Sequence, residues 1–339
     1  MILSDRITCA VLALGISCAP LCALAGQPPL RIGHFPNITH AQALWARANP
    51  AQFEKDVGAK VEWTTFNAGP SAIEAMFADA IDATYIGPNP AINGHLKSGG
   101  KVFAIVAGSA SGGAALVVRP DAGIAGELDF NGKTIATPQL GNTQDVAARA
   151  WFKSKNYRLK DKGGTLILMP LQNPDQLQMF KQKEIDGAWT IEPWVSRLIH
   201  EGGGKVFLEE KDLWPAGRYV TTHLIISRKF LKNQPETVRR LIAAHVAITQ
   251  QLNGDRTMIR PVLQAELKRE TGQSLSDAVL DGSLQRVEFT WDPIRDSLMQ
   301  SAQAAHAAGF IKQSPVLDGI YDLTVLNAVL RERNLPPVP

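Results

Sequence analysis

The sequence predicts an α/β fold of two lobes, each built on a parallel-dominated sheet, with two extended crossovers joining the lobes. Three observations predict it. Short strand-like runs alternate with helical runs as far as Arg119, the same alternation restarts after that residue, and helical patterns alone follow Phe230. Alternating strands and helices are typical of parallel sheets that carry helices on both faces. The helical end indicates that the chain returns to pack on its first unit.

The first cycle contains four strand-like runs with helical segments between them. The strands are LRIGHF, KVEWTTF, DATYIG and VFAIVAG, and the helices begin near Thr39, at SAIEAMFA and at PAINGHLK. The run AALVVR, residues 114–119, then predicts the first extended crossover. The four strands therefore predict the sheet of the first lobe.

The second cycle repeats this order. Its strands are KTIAT, TLILMPL, GAWTI and KVFLEE, with helices at 145–153, from about Asp175 and from Pro193. The run YVTTHLIIS predicts the second extended crossover, and apolar residues then follow at helical spacing. We therefore assign residues 26–117 and 224–339 to a discontinuous first lobe and residues 118–223 to the second lobe.

The first 25 residues predict a secretory signal peptide. A polar start leads into apolar residues 7–19, and Ala-Leu-Ala follows at 23–25 as a cleavage signal. The apolar run is shorter than the roughly 20 residues that a membrane helix needs. Neither Cys18 nor Cys22 follows an aliphatic residue at lipobox spacing. We predict cleavage after Ala25, no lipid anchor, and export to the periplasm.

The composition excludes several classes of function. All three cysteines lie in the signal peptide, so the mature chain has no disulfide, thiol nucleophile or thiolate metal site. The formal net charge of +3 is spread along the chain, which argues against nucleic-acid binding. No nucleophile elbow, P-loop, zinc-protease motif or dinucleotide fingerprint is present. His34 and His40 have no acidic partner nearby in sequence. We therefore predict a protein that is not an enzyme, with no cofactor and no metal.

Polar residues follow the predicted strands, where helices begin. Helix starts carry unpaired N–H groups and partial positive charge, so several starts in one cleft bind an anion without a buried cation. Ordinary helix capping explains the same residue types equally well. Asp145 would repel an anion, so we expect it to face away. The candidate ligand-binding residues in these loops are His34, Asn37, Asn67, Ser71, Asn89, Gly141, Asn142, Thr143, Gln144 and Glu192.

Two tryptophans flank the last of these loops. Trp189 and Trp194 stand on either side of Glu192 and Pro193 and are candidates to enclose the organic end of a ligand. A tryptophan at a strand end is also a common core residue. Glu192 is a candidate partner for a ligand amine, or a hinge or cap residue. His223 lies on the second crossover and is expected to be structural.

Five segments resemble one family of exported proteins. They are FNAGPSAIEAMFADAIDATYIGPNPAINGHLKSGG, AGSASGGAALVV, TPQLGNTQDVAARAWF, EIDGAWTIEPWVSRLIHEGGG and EKDLWPAGRYVTT. Together they resemble the nitrate/sulfonate/taurine family of ABC-importer substrate-binding proteins, of the aliphatic-sulfonate-binding type. The resemblance implies a two-lobe periplasmic-binding-protein fold, type II-like, that closes on a small solute like a Venus flytrap. It also implies docking on the transmembrane subunits of an ABC permease. We expect a monomer.

The resemblance leaves the ligand open. The family also covers nitrate, bicarbonate, sulfate esters, aromatic sulfonates and thiamine-precursor pyrimidines. Glu192-Pro193-Trp194 stands where better-known sulfonate and taurine binders often show Asp-Pro-Tyr. Enzymes that make the thiamine pyrimidine share the fold but carry a cysteine-rich motif, which the mature chain lacks.

We predict an aliphatic sulfonate as the ligand. Thr143 and Gln144 would hold its anionic head from the second lobe, and Asn67, Ser71 and Asn89 would complete the site from the first. One alternative is an aromatic solute such as a pyrimidine, stacked between the tryptophans with Glu192 as its partner. Another is a binding protein that serves a sensor.

Overall fold

The computed structural model describes residues 28–339, and the predicted signal peptide lies outside the described residues. Two β-sheets organise this part of the chain. The strands of the first sheet are β1 (Leu30–His34), β2 (Val61–Thr65), β3 (Ala83–Ile86), β4 (Phe103–Gly112), β10 (Val220–Ser227) and β11 (Val287–Phe289). The strands of the second sheet are β5 (Ala114–Val118), β6 (Thr134–Thr137), β7 (Ile167–Pro170), β8 (Gly187–Ile191) and β9 (Lys205–Glu209).

Helices cover both sheets. Those of the two α/β cycles are α1 (Ala41–Ala48), α2 (Pro50–Val57), α3 (Gly69–Phe77), α4 (Pro88–Ser98), α5 (Thr143–Ser154), α6 (Asn173–Lys181) and α7 (Trp194–His200). The helical end contains α8 (Arg228–Asn233), α9 (Pro235–Leu252), α10 (Arg256–Thr271), α11 (Asp277–Arg286), α12 (Arg295–Ala308) and α13 (Thr324–Glu332). In the described part of the chain, we find no helix with the length and apolar character needed to span a membrane.

The pairing within each sheet is mixed, so the predicted parallel-dominated sheets are wrong. The strand orders are β11-β4-β10-β3-β1-β2 and β7-β6-β8-β5-β9. Strand β1 pairs in parallel with β2 and β3, and β6 pairs in parallel with β7 and β8. The pairs that involve β5, β10 and β11 are antiparallel. Of these strands, β5 follows β4 directly and β10 follows β9 with only 3-10 turns between them.

The crossovers also differ from the predicted extended runs. The chain leaves the first sheet at Gly112 and Gly113, whose φ angles of 78° and 82° favour glycine. The run 114–118 is a strand of the second sheet, and 220–227 is a strand of the first. Between β9 and β10 the chain passes through two 3-10 turns, Glu210–Leu213 and Pro215–Gly217. Both predicted lobe boundaries therefore fall inside strands, because an extended run looks the same in sequence whichever sheet it joins.

The C-terminal helices pack on the first sheet. Leu241 of α9 and Leu263 of α10 share one buried cluster with Leu30 and Ile32 of β1. The second sheet has a separate apolar cluster on each face, one around Trp189 and one around Phe180. This packing places the loops at the carboxyl ends of both sets of parallel strands on either side of one cleft.

Candidate functional site

A small cavity lies between the two sheets, where strands of both sheets end. Its volume is about 20 Å³. The loops after β1, β2, β3, β6, β7 and β8, together with β10, supply its walls. The lining residues of this inner cavity are Phe35, Asn37, Thr39, His40, Asn67, Gly87, Pro138, Asn142, Thr143, Gln144, Asn173, Ile191, Thr221 and Thr222.

Three helices begin at the inner cavity. Gly87 precedes α4, Asn142 precedes α5, and Asn173 is the first residue of α6. The side chain of Asn142 forms no capping hydrogen bond, so ordinary capping does not explain it. The dipoles of these helix starts, and the free N–H groups of those first-turn residues that are not proline, favour negative charge in the cavity.

Four side chains around the inner cavity have a buried polar atom that lacks a hydrogen-bond partner within residues 28–339. These atoms are Thr39 Oγ1, Thr143 Oγ1, Gln144 Nε2 and Thr222 Oγ1. Leaving a buried donor unpaired costs about 1–3 kcal/mol, and folded proteins rarely do so. Two of the four come from each lobe. Their convergence on one cavity indicates hydrogen bonding to a ligand.

The inner cavity holds no formal charge among its described lining residues, since Lys, Arg, Asp and Glu are absent from them. Burial, with a smaller effect of His34, lowers the pKa of His40 well below its usual value. The Nδ1 of His40 accepts a hydrogen bond of 3.3 Å from the backbone N–H of Phe35. The ring is therefore neutral, with its proton on Nε2. The cavity thus offers donors without a cation.

A larger chamber adjoins the inner cavity and shares Asn37, Asn67 and Asn173 with it. The volume of this outer chamber is about 430 Å³. Its other lining residues are Pro36, Thr65, Pro174, Leu177, Gln178, Lys181, Trp194, Arg197, Glu201, Glu270, Thr271 and Gln273. The Nε1 of Trp194 donates to Asn37 Oδ1 across the cleft, at 3.2 Å. The chamber therefore combines an aromatic and aliphatic wall with a polar rim.

The structure brings half of the predicted site residues to these two cavities. Asn37, Asn67, Asn142, Thr143 and Gln144 line the inner cavity, and Trp194 lines the outer chamber. Six further residues line the inner cavity and were not predicted from the sequence: Thr39, His40, Gly87, Asn173, Thr221 and Thr222. Thr39, His40, Gly87 and Asn173 follow strands where helices begin, so the expectation that selected Asn37 also applies to them. Thr221 and Thr222 had a weaker signal, two polar residues in a largely apolar strand.

His34 and Trp189 line neither cavity. His34 Nε2 lies 2.7 Å from Oε1 of Glu270 on α10, so the ring is held behind Glu270, which itself lines the outer chamber. Trp189 is completely buried and donates its Nε1–H to Glu210 Oε2 at 2.7 Å. Alternate residues of a strand face opposite sides of its sheet, and the sequence did not establish which side faced the cleft.

Ser71, Asn89 and Gly141 also lie outside both linings. The hydroxyl of Ser71 donates to the Ala68 carbonyl at 2.8 Å, and Asn89 Nδ2 donates to the Ser301 carbonyl at 3.2 Å. These side chains are satisfied by backbone atoms of their own lobe. Their predicted role in binding is therefore not supported by their position.

Asp145 faces away from the inner cavity, as expected. Its carboxylate accepts hydrogen bonds from Thr137 Oγ1 at 2.7 Å, from the Gly141 N–H at 2.9 Å and from Arg149 Nε at 3.0 Å. These bonds attach the loop before α5 to β6. Asp145 and Gly141 therefore support the cavity wall without lining it.

Glu192 joins the second sheet to α11 and lines neither cavity. Its completely buried carboxylate accepts from Ser196 Oγ at 2.9 Å, Ser283 Oγ at 2.8 Å and Arg286 Nη1 at 3.4 Å. Burial raises its pKa to about 7, against these hydrogen bonds and the Arg286 charge. The carboxylate also accepts from the Ser196 N–H in the first turn of α7 at 3.1 Å, so the position agrees with the cap alternative and leaves no access for a ligand amine.

We expect Glu192→Gln to change how stability depends on pH. The unfolded chain ionises this carboxyl near 4.5, whereas the folded protein keeps its proton up to about 7. The wild type therefore loses stability relative to the variant as the pH rises from 4.5 to 8, by about 3 kcal/mol. Urea unfolding of both proteins at pH 5, 6, 7 and 8 measures this difference. A constant difference over that range would show that the folded pKa is not raised.

A comparison with protein families places this chain. The model of the NMT1-like family matches residues 24–265, which is more than half of this chain. The chain belongs to the NMT1-like family. Among curated relatives of this NMT1-like protein is the taurine-binding periplasmic protein of Escherichia coli (strain K12), 25% identical over 262 residues. That match covers 74% of this chain and 78% of the relative.

A second relative and two solved structures are also similar to this chain. A putative aliphatic sulfonates-binding protein of Bacillus subtilis (strain 168) is 28% identical over 195 residues, 56% of this chain and 54% of the relative. The alkanesulfonate-binding protein SsuA from Xanthomonas axonopodis pv. citri, solved with MOPS bound, aligns with a TM-score of 0.72 at 17% identity, over 88% of this chain and 99% of that one.

The nitrate-binding protein NrtA from Synechocystis PCC 6803 aligns with a TM-score of 0.75 at 14% identity, over 91% of this chain and 89% of that one. At these identities the structures show the fold alone. They confirm the predicted periplasmic-binding-protein fold. The named relatives confirm the predicted resemblance to taurine- and sulfonate-binding proteins.

Proposed function

We propose that this NMT1-like protein is the solute-binding component of an ABC importer and captures a small organic anion, an aliphatic sulfonate, in the inner cavity. One observation carries the proposal. Four donors that have no partner among residues 28–339, Thr39, Thr143, Gln144 and Thr222, surround a cavity that three helix starts reach. No charged residue of that described range lines the cavity. The sulfonate- and taurine-binding relatives support the same class of ligand.

A sulfonate matches the chemistry of this cavity. It stays ionised in any buffer in which the protein folds, so it needs hydrogen-bond donors and no proton acceptor. Hydroxyl, amide and backbone N–H groups supply those donors, and hydrogen bonds to an ionised acceptor are stronger than neutral ones. The helix dipoles add favourable charge without a cation that would need burial.

The size of the cavity supports binding by lobe closure. About 20 Å³ holds about one water molecule, so the cavity must widen before it takes an oxyanion head. Once inside, the head would bond to Thr39 and Thr222 on one lobe and to Thr143 and Gln144 on the other. Such a ligand binds the closed state more tightly and shifts the population toward it.

The outer chamber supports a ligand with an organic tail. Asn37, Asn67 and Asn173 connect it to the inner cavity, and Leu177 and Trp194 provide apolar surface there. A tail that extends from the bound head past these three asparagines would enter the outer chamber. Nitrate and bicarbonate have no tail and would leave it unused.

The stacked-pyrimidine alternative receives less support from the geometry. It needs Trp189 and Trp194 on two sides of the ring and Glu192 as a polar partner. Trp189 is buried in the second-lobe core, and Glu192 is enclosed by Ser196, Ser283 and Arg286. Trp194 alone remains at a cavity.

We further propose where the protein acts and with what. It would be a monomer in the periplasm that delivers its ligand to ABC permease subunits and catalyses no reaction. The predicted signal peptide and the periplasmic relative support this location. We place the lobe boundaries at Gly112–Gly113 and at the 3-10 turns that precede β10. A hinge at these two passages would let the lobes separate.

A thermal-shift screen of residues 26–339 tests the ligand class. The panel contains alkanesulfonates, arylsulfonates, sulfate esters, taurine, nitrate, bicarbonate and pyrimidines. A ligand at about one hundred times its dissociation constant adds about 2.7 kcal/mol to stability, which raises the unfolding midpoint by several degrees. We expect alkanesulfonates to give this shift. Stabilisation by pyrimidines alone would refute the sulfonate proposal.

A further inference from the structure

Gly87 lies close to the second lobe at the inner cavity. It precedes α4 in the first lobe and faces Thr143 at the start of α5 in the second. A β-carbon placed on Gly87 would lie 2.4 Å from Thr143 Oγ1 and 3.4 Å from Thr143 Cβ. Real β-carbons essentially never approach another heavy atom within 3.0 Å. In this arrangement a side chain at position 87 has no room unless Thr143 shifts.

The backbone of Gly87 gives no other reason for a glycine. Its φ of −70° and ψ of 158° lie in the extended region that any residue adopts. Gly112 at the first crossover differs, because its φ of 78° favours glycine whatever its surroundings. An alanine at position 87 would therefore fit the separated first lobe and collide with Thr143 when the lobes close.

We propose that Gly87 is the positioning residue that lets the lobes close far enough for Thr143 to reach the ligand. The inference rests on the proposed function, since it takes the ligand to bind between closed lobes. Relieving the collision moves Thr143 back by about 1 Å, the difference between 2.4 Å and an ordinary carbon–oxygen contact. A hydrogen bond lengthened by that amount is largely lost. Gln144 moves with Thr143, so the second lobe loses both of its donors.

A double-mutant cycle isolates this contact. Gly87→Ala, Thr143→Ala and the double variant are compared for affinity to ethanesulfonate by calorimetry. We expect Gly87→Ala to weaken binding at least about 30-fold in the wild type. In the Thr143→Ala background, Gly87→Ala should lower the affinity less than about threefold, because the hydroxyl that collides with the new side chain is gone. The urea midpoint of Gly87→Ala should match the wild type.

Spin labels measure closure directly. Glu62→Cys on β2 and Gln182→Cys after α6 place one exposed label on each lobe, outside both cavity linings. The native cysteines all lie before residue 26, so these labels are the only ones in the mature chain. We expect the interlobe distance of the described structure in the wild type and in the double variant, and a longer distance in Gly87→Ala.

Gly94→Ala on the same helix is the matched control. Its β-carbon would meet the Ile73 side chain at 3.0 Å, within the first lobe. We expect a change in stability there, with affinity and interlobe distance unchanged. This separates a collision across the cleft from damage to α4 itself.

Three results would overturn the inference. The first is a Gly87→Ala variant that binds ethanesulfonate as tightly as the wild type. The second is an equal loss of affinity from Gly87→Ala with Thr143 present and with Thr143 replaced. The third is a wild type whose interlobe distance never reaches that of the described structure, with or without ethanesulfonate. A wild type that reaches this distance but does not bind ethanesulfonate would refute the sulfonate ligand. The distance comparison among the variants would then still decide the role of Gly87.

Discussion

Replacing Thr143 and Gln144 together by alanine should weaken sulfonate binding about 100-fold or more and leave the unfolding midpoint nearly unchanged. Thr143 Oγ1 and Gln144 Nε2 are buried and have no partner among the described residues, so their removal breaks no hydrogen bond of the ligand-free fold. Each bond to an ionised acceptor contributes about 1.5–3 kcal/mol, and two such bonds together exceed the 2.7 kcal/mol of a 100-fold change. Calorimetric titration and urea unfolding measure the two quantities.

Ser71→Ala provides the control for this double variant. Ser71 also stands near a helix start, but its hydroxyl donates to the Ala68 carbonyl and lines neither cavity. We expect unchanged affinity there. If the Thr143 and Gln144 variant instead lost stability and kept its affinity, the start of α5 would be structural and the proposed anion site would be wrong.

Thr222→Val should change stability and affinity in opposite directions. Thr222 is completely buried on β10, and its hydroxyl has no partner in the described chain. Valine has nearly the same shape and removes the unpaired hydroxyl, whose burial costs about 1–3 kcal/mol. We expect the ligand-free protein to gain about 1 kcal/mol of stability and sulfonate binding to weaken about tenfold or more. Urea unfolding and calorimetry test both signs.

The neighbouring threonine is a matched comparison. Thr221 Oγ1 donates to the Ala110 carbonyl at 3.1 Å, so Thr221→Val breaks a bond of the ligand-free fold and should lower stability. Opposite stability changes in the two variants would show that the Thr222 hydroxyl has no hydrogen-bond partner in the ligand-free protein and is available to a ligand. Destabilisation by both would mean that Thr222 already has a partner, and the proposed site would lose one of its four donors.

The sequence was informative where the signal is local. The alternation of strands and helices, and the polar residues 142–144 at the start of α5, are patterns within one short segment. Hydrophobic periodicity and helix-start chemistry act over a few residues, so such patterns predict elements and mark loops that follow strands. They also marked Asn37 and Asn67, which the fold brings to the same cavity from the other lobe.

Prediction failed where the answer depended on distant partners. His34 ends a strand beside the cleft, yet its ring pairs with Glu270 on α10, far along the chain. Trp189 and Glu192 are likewise held by Glu210 and by Ser283. A side chain in such a loop turns toward whichever partner satisfies it, and those partners are not its neighbours in sequence.

The sequence by itself determined the α/β class, the family resemblance, the absence of cysteine after residue 25 and the position of the loop before α5. Only the tertiary structure decided that β10 joins the first sheet, that Thr39 and Thr222 face Thr143 and Gln144, and that Gly87 touches the second lobe. The physical reason is the range of the interactions. Helix and strand preferences are properties of adjacent residues, whereas sheet order and a cavity between lobes arise when segments far apart in the chain exclude water from one another.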